Sequence, residues 1–164
     1  LGANVTATKK NEAAIALGQG AQEIDMVLNV GYLRMGDYDA VRSDISEVAG
    51  AVRTSGGLLK VILETCLLND EQKMTACQLA IEAGAGFVKT STGFSKSGAT
   101  VEDVRLMRRA VGANAGVKAS GGIRTLAGLK SMLEAGATRI GASAGVAIMN
   151  EIDGTRGAPQ AGSY

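Results

Sequence analysis

The chain has 164 residues, 46% of them hydrophobic, which is enough for one globular domain with a sizeable core. Its 17 Lys and Arg residues are balanced by 16 Asp and Glu residues without a run of like charge, and this balance argues against a nucleic-acid or membrane-surface partner. Histidine is absent, so the commonest general base and metal ligand are excluded, and acid–base chemistry must fall to Asp, Glu, Lys, Tyr or Cys.

Short apolar runs alternate with longer segments of helical period, a pattern typical of a parallel α/β fold. A first helix is predicted over Val5 to Leu17, where Ala and Lys are frequent. Five strands follow it along the chain. They are predicted over Glu23 to Asn29, Leu58 to Glu64, Phe87 to Thr92, Gly116 to Ser120 and Arg139 to Ser143.

The segments between the strands have helix starts and apolar stripes. Asp37 precedes the first of them, Asn69 and Asp70 the second, and Thr100 with Asp103 forms a weak capping box before the third. Residues at helical spacing give each segment one apolar face. The stripes are Val41, Ile45, Val48 and Val52, then Met74, Cys77 and Ile81, then Val104, Met107 and Val111, then Leu126, Leu129 and Leu133.

Two counts along the chain predict which residues share a depth in the sheet. Gly-Ala pairs end three of the helical segments, and five residues beyond each glycine stand Asp25, Lys89 and Gly141. Lys60, Lys89 and Lys118 are each 29 residues apart, a plausible length for one strand-plus-helix unit. Strand alternation then places Asp25 and the three lysines on the same side.

Five consecutive βα units suit either a doubly wound sheet or part of a (β/α)₈ barrel. Polar residues that face inward at equal depth favour the barrel, because a flat parallel sheet buries both faces against helices. The length is well short of the roughly 250 residues of a whole barrel. We therefore expect an incomplete TIM barrel with the last five units over residues 1–150. A flexible tail rich in Gly, Ala and Ser is expected over residues 151–164, ending at Tyr164.

Lys89 and Lys118 each follow a β-branched residue and precede small polar or glycine residues, as in a buried strand that leads into a binding loop. An ammonium is expensive to desolvate there, and a second ammonium nearby disfavours the charged form. A neutral amine is a nucleophile, so the pair suggests Schiff-base chemistry on a carbonyl substrate. In this interpretation Lys89 is the nucleophile, Lys118 disfavours its protonated form, and Asp25 accepts or relays protons. A purely structural charge network is the alternative, but three lysines against one carboxylate leave an imbalance that such a network avoids.

Glycine-rich segments follow the last two predicted strands, where barrels commonly bind phosphate. Gly121 and Gly122 in one segment, and Gly141 and Ser143 in the other, offer backbone N–H groups close to helix starts. Tight turns alone are the alternative for either segment taken singly.

Two further residues are assigned to substrate binding. Lys60 belongs to the inward-facing set, and Thr92 ends the segment Thr90-Ser91-Thr92-Gly93, whose hydroxyls suit a polyol. Hydroxyls at the end of a strand more often cap the following loop, which is the alternative for Thr92.

Together these segments closely resemble deoxyribose-phosphate aldolase, a class I aldolase on a TIM barrel. The resemblance covers nearly all of the chain up to about Met149, with its motifs in the expected order. The matching motifs are Glu23-Ile24-Asp25-Met26-Val27, Leu59-Lys60-Val61-Ile62-Leu63-Glu64-Thr65, Phe87-Val88-Lys89-Thr90-Ser91-Thr92-Gly93, Gly116-Val117-Lys118-Ala119-Ser120-Gly121-Gly122-Ile123-Arg124 and Arg139-Ile140-Gly141-Ala142-Ser143.

The resemblance implies reversible cleavage of 2-deoxy-D-ribose 5-phosphate to D-glyceraldehyde 3-phosphate and acetaldehyde in deoxyribonucleotide catabolism, without metal or organic cofactor. By analogy Lys89 forms the imine, Lys118 tunes it and Asp25 helps to move protons. The phosphate would be held by Gly121, Gly122, Gly141 and Ser143. A tyrosine-bearing tail in some members is thought to visit the site, which draws attention to Tyr164.

The sequence departs from the family pattern in two places. Ala144 stands where many relatives carry a second serine, and Leu1-Gly2-Ala3-Asn4 resembles the loop after the third strand, so the first three βα units are missing. An open sheet exposes two edges, so we expect a homo-oligomer or a complementing N-terminal segment as partner. A non-catalytic half-barrel and another phosphate-binding barrel enzyme are the alternatives.

Two features of the sequence bear on the compartment. No apolar stretch approaches the length of a membrane span, and the first residues lack the order of a signal peptide. We therefore expect a cytoplasmic protein without a membrane partner. Cys66 and Cys77 are expected to be buried free thiols, with a disulfide as the alternative.

Overall fold

The computed structural model describes residues 2–154, in which five parallel strands form one sheet in sequential order. A connection containing at least one helix joins each strand to the next, as in consecutive βα units. The strands are β1 Glu23–Val27, β2 Leu58–Ile62, β3 Phe87–Lys89, β4 Gly116–Ser120 and β5 Arg139–Gly141. The helices are α1 Thr6–Gly18, α2 Val30–Met35, α3 Tyr38–Thr54, α4 Asp70–Glu82, α5 Val101–Val111, α6 Leu126–Glu134 and α7 Gly145–Ile152, with a 3₁₀ turn at Thr65–Leu67.

Side-chain caps fix where several helices begin. Asp37 accepts a hydrogen bond from Ala40 N at the start of α3, and Asn69 forms a full capping box with Gln72 at the start of α4. Thr100 caps α5 by accepting from Asp103 N at 3.1 Å, but this is only half of the predicted capping box, because no return bond from the Asp103 side chain to the Thr100 backbone is formed. The Asp103 carboxylate pairs with Lys73 Nζ of α4 at 2.6 Å, so it ties two helices together.

Four of the five strands end two or three residues earlier than predicted. Beyond the strand ends, neighbouring segments are still joined by isolated backbone hydrogen bonds, such as Leu28 N to Ile62 O and Thr90 N to Lys118 O. Asn29 caps α2, a short helix that the sequence did not predict, and Glu64 turns into the left-handed region at φ 55°. Chain that caps a helix or leaves the extended region cannot stay in a strand.

The core lies between the sheet and the helices. Val61, Val88 and Val117 point from the strands to the helices and are fully buried. The stripes predicted for α3 and α5 are buried as expected. The stripes of α4 and α6 were each wrong at one residue, because Met74 and Leu133 are exposed and Met132 is buried instead of Leu133.

Strand register places the inward residues in layers. Asp25 pairs with Lys60, but Lys89 pairs with Ile62, two residues further along β2. In an eight-stranded barrel with a shear of eight, residues at one depth climb by one position per strand, and alternate strands fill each layer. Asp25, Lys89 and Gly141 then share one layer, as the count from the glycines predicted. The equal depth predicted from the 29-residue spacing of the lysines was wrong, because Lys60 and Lys118 belong to the adjacent layer.

The sheet is curled strongly enough for its two edge strands to touch through side chains. Arg139 Nη1 of β5 lies 2.5 Å from Glu23 Oε2 of β1, and the Arg139 guanidinium lies 4.8 Å from the centroid of the Phe87 ring on β3. Strands four apart lie on opposite sides of an eight-stranded barrel, and alternate strands meet in one layer. These contacts are therefore the ones that barrel curvature produces.

Replacing Asp44 with alanine is expected to destabilise the fold strongly, by about 3 kcal/mol. Asp44 of α3 is buried, and its carboxylate pairs with the buried Lys9 Nζ of α1 at 2.5 Å and accepts from Thr6 Oγ1 at 2.8 Å. Truncation leaves the Lys9 ammonium buried without a counter-charge. Urea denaturation measures the loss.

Glu47→Ala is the matched control for Asp44→Ala, because Lys10 and Glu47 join the same two helices through a pair that is about half exposed. Exposed pairs contribute little, so this variant should unfold almost as the unchanged chain does. Equal losses from the two substitutions would contradict the role given to burial.

Three smaller predictions concern the ends of the chain and its cysteines. Helix α7 runs to Ile152, two residues past the predicted domain end, and Tyr164 lies outside the described residues. Cys66 and Cys77 are both free, so the disulfide alternative was wrong; Cys77 is buried as predicted, and Cys66 is only half-buried. Within residues 2–154 no helix has both the length and the apolar character needed to cross a membrane.

Candidate active site

Three lysines from three strands converge on one carboxylate at the concave face of the sheet. Lys60 Nζ lies 2.8 Å from Asp25 Oδ2, while Lys89 Nζ and Lys118 Nζ lie 3.1 and 3.3 Å from Asp25 Oδ1. The four residues that the sequence predicted to face the same side are thus in direct contact. Lys89 and Lys118 share one oxygen atom, so a single carboxylate orients both amines.

The lysines determine the electrostatics of Asp25. Burial alone would raise the pKa of its carboxyl, but hydrogen bonds from Lys60 and Lys89 and the charges of Lys89 and Lys118 lower that pKa to about 2. A carboxylate with so low a pKa is a weak base. The resting site therefore favours Asp25 as an orienting counter-charge over Asp25 as a proton acceptor.

The surroundings of Lys118 make its amine easier to deprotonate than an ordinary lysine. Burial lowers the pKa of its ammonium, and the positive charges of Lys89 and Lys60 lower it further, against the opposing attraction of Asp25. Its pKa therefore lies below the ordinary lysine value. An amine of this kind exchanges protons more readily near neutral pH than an exposed lysine does.

Lys60 has the opposite character. Burial would lower its pKa, but hydrogen bonds from its ammonium to Asp25 and Glu23 outweigh burial and raise it. The Lys60 side chain is only 4% exposed, and its ammonium contacts both carboxylates at 2.8 Å. This placement favours a lasting positive charge beside Asp25, and the substrate contact expected from the sequence stays a prediction.

Sequence reasoning missed two members of the cluster, Glu23 and Arg139. They face inward two residues before Asp25 and Gly141 on the same strands, beneath the layer of Lys60 and Lys118, and Glu23 accepts from both Lys60 and Arg139. The predicted imbalance of three lysines against one carboxylate is therefore four cations against two carboxylates. Strand alternation carried the signal, because each residue stands two positions before a predicted inward residue.

The hydroxyls after β3 are mostly occupied by the protein itself. Thr90 and Ser91 are completely buried. Thr90 Oγ1 donates to Ser120 O and accepts from Ser120 N, both at 3.1 Å, so it fastens this segment to β4. Thr92, the member assigned to substrate binding, is only half-buried and donates from Oγ1 to Glu64. Of the three hydroxyls, that of Thr92 is the one within reach of a ligand.

The glycine-rich loops differ in how much of their backbone is free. Helix α6 is already capped, since Thr125 accepts from Gly128 N and Glu151 accepts from Leu126 N. Helix α7 begins after Ala144 without a side-chain cap. Gly122 and Ser143 are exposed. An anion at these loops would therefore meet free N–H groups at the start of α7 rather than at the start of α6.

Gly141 also has a packing reason to be glycine. A Cβ at this position would lie 3.0 Å from Ser120 Cβ and 3.3 Å from Lys118 Cε. The absence of a side chain therefore makes room for the Lys118 stem on its way to Asp25.

The site is open along β1, whose outer edge has no strand partner among the described residues. A cavity of about 430 Å³ follows this edge and is lined by Asp25, Glu23 and Val27 of β1 together with Ala13 of α1. Within residues 2–154, no group of three or more Cys, Asp or Glu residues is arranged to hold a metal ion.

Comparison with known proteins identifies the family. The family model described as DeoC/LacD family aldolase matches residues 2–151 of the chain. The chain belongs to this aldolase family. The lysine cluster on the parallel sheet is therefore the candidate active site of a family of lyases.

Named members of this aldolase family are similar over most of the chain. The deoxyribose-phosphate aldolase of Thermoanaerobacter sp. (strain X514) is 62% identical over 152 residues, which cover 92% of this chain and 68% of that protein. The chain spans about two thirds of the length of the curated relatives it matches.

Solved aldolase structures share the fold. One titled QR15, an aldolase, has a TM-score of 0.89 at 45% identity and covers 94% of this chain and 69% of its own. A tetrameric deoxyribose phosphate aldolase from Aeropyrum pernix has a TM-score of 0.86 at 32% identity, covering 93% and 64%. The predicted fold class, an incomplete TIM (β/α)₈ barrel, is confirmed.

Gly121→Ala is expected to cost more stability than Gly122→Ala in this aldolase. Both glycines have positive φ, at 85° and 78°, so each alanine pays about 1 kcal/mol for the backbone conformation. At Gly121 the new Cβ would also lie 2.9 Å from Gly98 Cα, while at Gly122 it meets open space. We expect a loss of about 2 kcal/mol or more for the first variant and about 1 for the second.

Urea denaturation of both glycine variants checks this difference. The comparison is matched, because the two residues are neighbours and share the backbone penalty. Equal midpoints would show that the backbones at Gly98 and Gly121 separate without cost.

Proposed function

We propose that the protein cleaves 2-deoxy-D-ribose 5-phosphate to D-glyceraldehyde 3-phosphate and acetaldehyde through an imine on Lys89, in deoxyribonucleotide catabolism. The observation that carries the proposal is the convergence of Lys89 and Lys118 on one oxygen of Asp25. Lys89 ends β3, and Lys118 lies two residues before the end of β4, so the two amines meet towards the carboxyl ends of neighbouring strands. Barrel enzymes have their active sites at these ends. Relatives at about 60% identity bear the name of this aldolase.

The chemistry follows from a nucleophilic amine next to a proton-exchanging one. The neutral Lys89 amine adds to the substrate aldehyde, and loss of water gives a protonated imine. The imine draws the electron pair of the C2–C3 bond towards itself while the C3 hydroxyl gives up its proton. D-glyceraldehyde 3-phosphate then leaves, the remaining enamine takes a proton at carbon, and water releases acetaldehyde and restores the amine.

Lys118 and Asp25 support different parts of this cycle. Lys118, whose pKa lies below the ordinary value because of burial, exchanges the protons that addition and dehydration require. Asp25 orients both amines. The protonated imine keeps the positive charge next to Asp25, and C2–C3 cleavage converts it to a neutral enamine. Asp25 then loses one of the cations that lower its pKa, so this carboxylate becomes a better base after cleavage.

Phosphate binding is proposed for the loops after β4 and β5. Gly121 and Gly122 adopt positive φ and turn the backbone at the end of β4. Ser143 and the uncapped start of α7 add exposed donors at the end of β5. Donors from two successive loops suit a phosphate dianion, which accepts several hydrogen bonds. Gly141 contributes by keeping this region open and by making room for Lys118.

Catalysis is proposed to require that the open edge of β1 be covered. Asp25 lines the cavity along that edge and its side chain is 29% exposed, so water weakens the interactions of its carboxylate with the lysines. A segment equivalent to the third of the relatives' length that this sequence does not span would be one way to close the barrel, and association of copies is another. A tetrameric relative is consistent with association.

The experiment is an assay of acetaldehyde release from 2-deoxy-D-ribose 5-phosphate, with the chain alone and with the N-terminal portion of a close relative added. Measured mass in solution accompanies each assay. We expect activity in the closed assembly and much less in the chain alone. No activity in either form, with native-like mass and folding, would favour a non-catalytic half-barrel over the proposed aldolase.

A further inference from the structure

Glu64 is the only residue other than glycine with a positive φ in the part of the chain that the structure describes. It follows β2 with φ 55° and ψ 62°, and only 2% of its surface is exposed. Such a backbone costs about 1–3 kcal/mol, and residues of this kind persist where the surroundings fix them, often at active sites. The strained backbone and the buried carboxylate of Glu64 therefore indicate a specific role for this residue.

The backbone on either side of Glu64 is bonded to the strand that carries Lys89. Leu63 N donates to Lys89 O at 2.9 Å, and Thr65 N donates to Thr90 O at 3.0 Å. The left-handed turn at Glu64 lies between these two bonds. Its position along the ladder is therefore fixed relative to Lys89.

All the hydrogen bonds recorded for the Glu64 carboxylate come from one residue, Thr92. Thr92 N lies 3.3 Å from Oε1 and 3.4 Å from Oε2, and Thr92 Oγ1 donates to Oε2. Among residues 2–154 no lysine or arginine forms an ion pair with Glu64. A buried carboxylate is costly, so contacts to a single loop residue indicate that holding this loop is its task.

The loop after β3 is held from the opposite side as well. Ser120 Oγ of β4 donates to Ser91 O at 2.7 Å. Glu64 supplies the corresponding hold from the β2 side. Lys89 thus lies on a strand whose following loop is fastened to both neighbours.

The contact with Glu64 also fixes the polarity of the Thr92 hydroxyl. A hydroxyl has one hydrogen and two lone pairs. Thr92 Oγ1 gives its hydrogen to Glu64 and uses one lone pair to accept from Phe94 N at 3.1 Å. The group that remains for a ligand is one lone pair, which recognises a hydrogen-bond donor.

We propose that Glu64 is a positioning residue that orders the loop after β3 and keeps the Thr92 hydroxyl as an acceptor for a substrate hydroxyl. The inference rests on the proposed function for its substrate. In open-chain 2-deoxy-D-ribose 5-phosphate the C3 hydroxyl loses its proton in the reaction, so the C4 hydroxyl is the one that stays a donor throughout. It is the group assigned to Thr92.

Glu64→Gln tests the assignment with little change of shape. The glutamine amide donates to Thr92 Oγ1, so the threonine hydrogen is released and the hydroxyl becomes a donor to the ligand. We expect kcat/KM for the natural substrate to fall about tenfold, which is the scale of one hydrogen bond. A substrate analogue with fluorine in place of the C4 hydroxyl can accept a hydrogen bond but cannot donate one. The loss of kcat/KM caused by this replacement should be smaller in Glu64→Gln than in the unchanged enzyme.

A double-mutant cycle with Thr92→Val tests whether Glu64 acts through Thr92. The double variant should be no slower than the worse of the two single variants, and Thr92→Ser, which keeps the hydroxyl, should retain more activity than Thr92→Val. Additive losses, or an unchanged preference against fluorine in Glu64→Gln, would overturn the proposal.

Hydrogen exchange provides a readout that needs no substrate. The Thr92 amide should exchange at least tenfold faster in Glu64→Gln than in the unchanged chain, while amides in α3 keep their protection. Unchanged protection of Thr92 would overturn the inference. Inactivity of the unchanged protein would contradict the proposed function alone, because the exchange measurement still decides the role of Glu64.

Discussion

Lys89→Met is expected to abolish aldol cleavage, with a loss of kcat of at least about a thousandfold, because the variant has no amine to form the imine. Methionine keeps an unbranched side chain at the end of β3. Loss of one cation from Asp25 leaves Lys60 and Lys118 in contact with it, so the cluster stays partly compensated. Borohydride added with acetaldehyde should attach an ethyl group to Lys89 in the unchanged protein and to no residue in the variant. Peptide mass spectrometry locates the adduct.

Lys118→Met is the matched control for Lys89→Met. It also removes one amine from Asp25 Oδ1, and the two residues are partners in the β3–β4 register. Trapping on Lys89 should persist in this variant but proceed more slowly, because the amine with the lowered pKa no longer exchanges protons. An adduct on Lys118 or Lys60 in an active protein would refute the assignment of the nucleophile.

The inward layer of Asp25, Lys89 and Gly141 could be predicted because, in repeated βα units, residues at the same distance from the end of the preceding helix lie at the same depth in the barrel. The glycine that ends each helix stands a fixed distance before the strand, so counting from Gly20, Gly84 and Gly136 reached Asp25, Lys89 and Gly141. Lys60 fell in the adjacent layer because the regular 29-residue spacing of the lysines ignores the shear between strands. Alternation along a strand determines whether a residue faces inward or outward, whereas the shear between strands determines the layer in which an inward residue lies.

Other parts of the site could not be read from the sequence because they depend on contacts distant along the chain. Strand alternation marks Glu23 and Arg139 as inward-facing, but their ion pair joins residues 116 positions apart and depends on the curvature of the whole sheet. Glu64 ends an apolar run that predicts an extended strand. Its left-handed conformation could not be predicted from that run, because the carboxylate is held by Thr92, which is distant along the chain. The resemblance to aldolases supplied roles for the lysines but none for these residues.

Asp25→Asn is expected to lower both activity and stability, because it removes the one carboxylate that contacts all three lysines. Asparagine has the same shape but no charge, so the Lys60 ammonium keeps only Glu23, while Lys89 and Lys118 lose their counter-charge. Activity should fall by about 100-fold or more, the range for a lost proton-handling group. Glu23→Gln, which also takes a carboxylate from Lys60 but lies two residues before Asp25 on β1, should leave most activity in place.

The pH dependence of stability distinguishes this charge effect from a packing effect. The pKa of Asp25 is lowered in the folded chain from 3.8 to about 2, so its stabilising contribution is full above pH 3.8 and is lost as the pH falls towards 2. The shift corresponds to about 2 kcal/mol, and partial exposure of the side chain reduces this to about 1–2 kcal/mol. Urea denaturation from pH 7 to pH 2 should therefore show the gap between the unchanged chain and Asp25→Asn shrinking below pH 4. A gap that stays constant across this range would mean that the carboxylate charge does not hold the lysine cluster together.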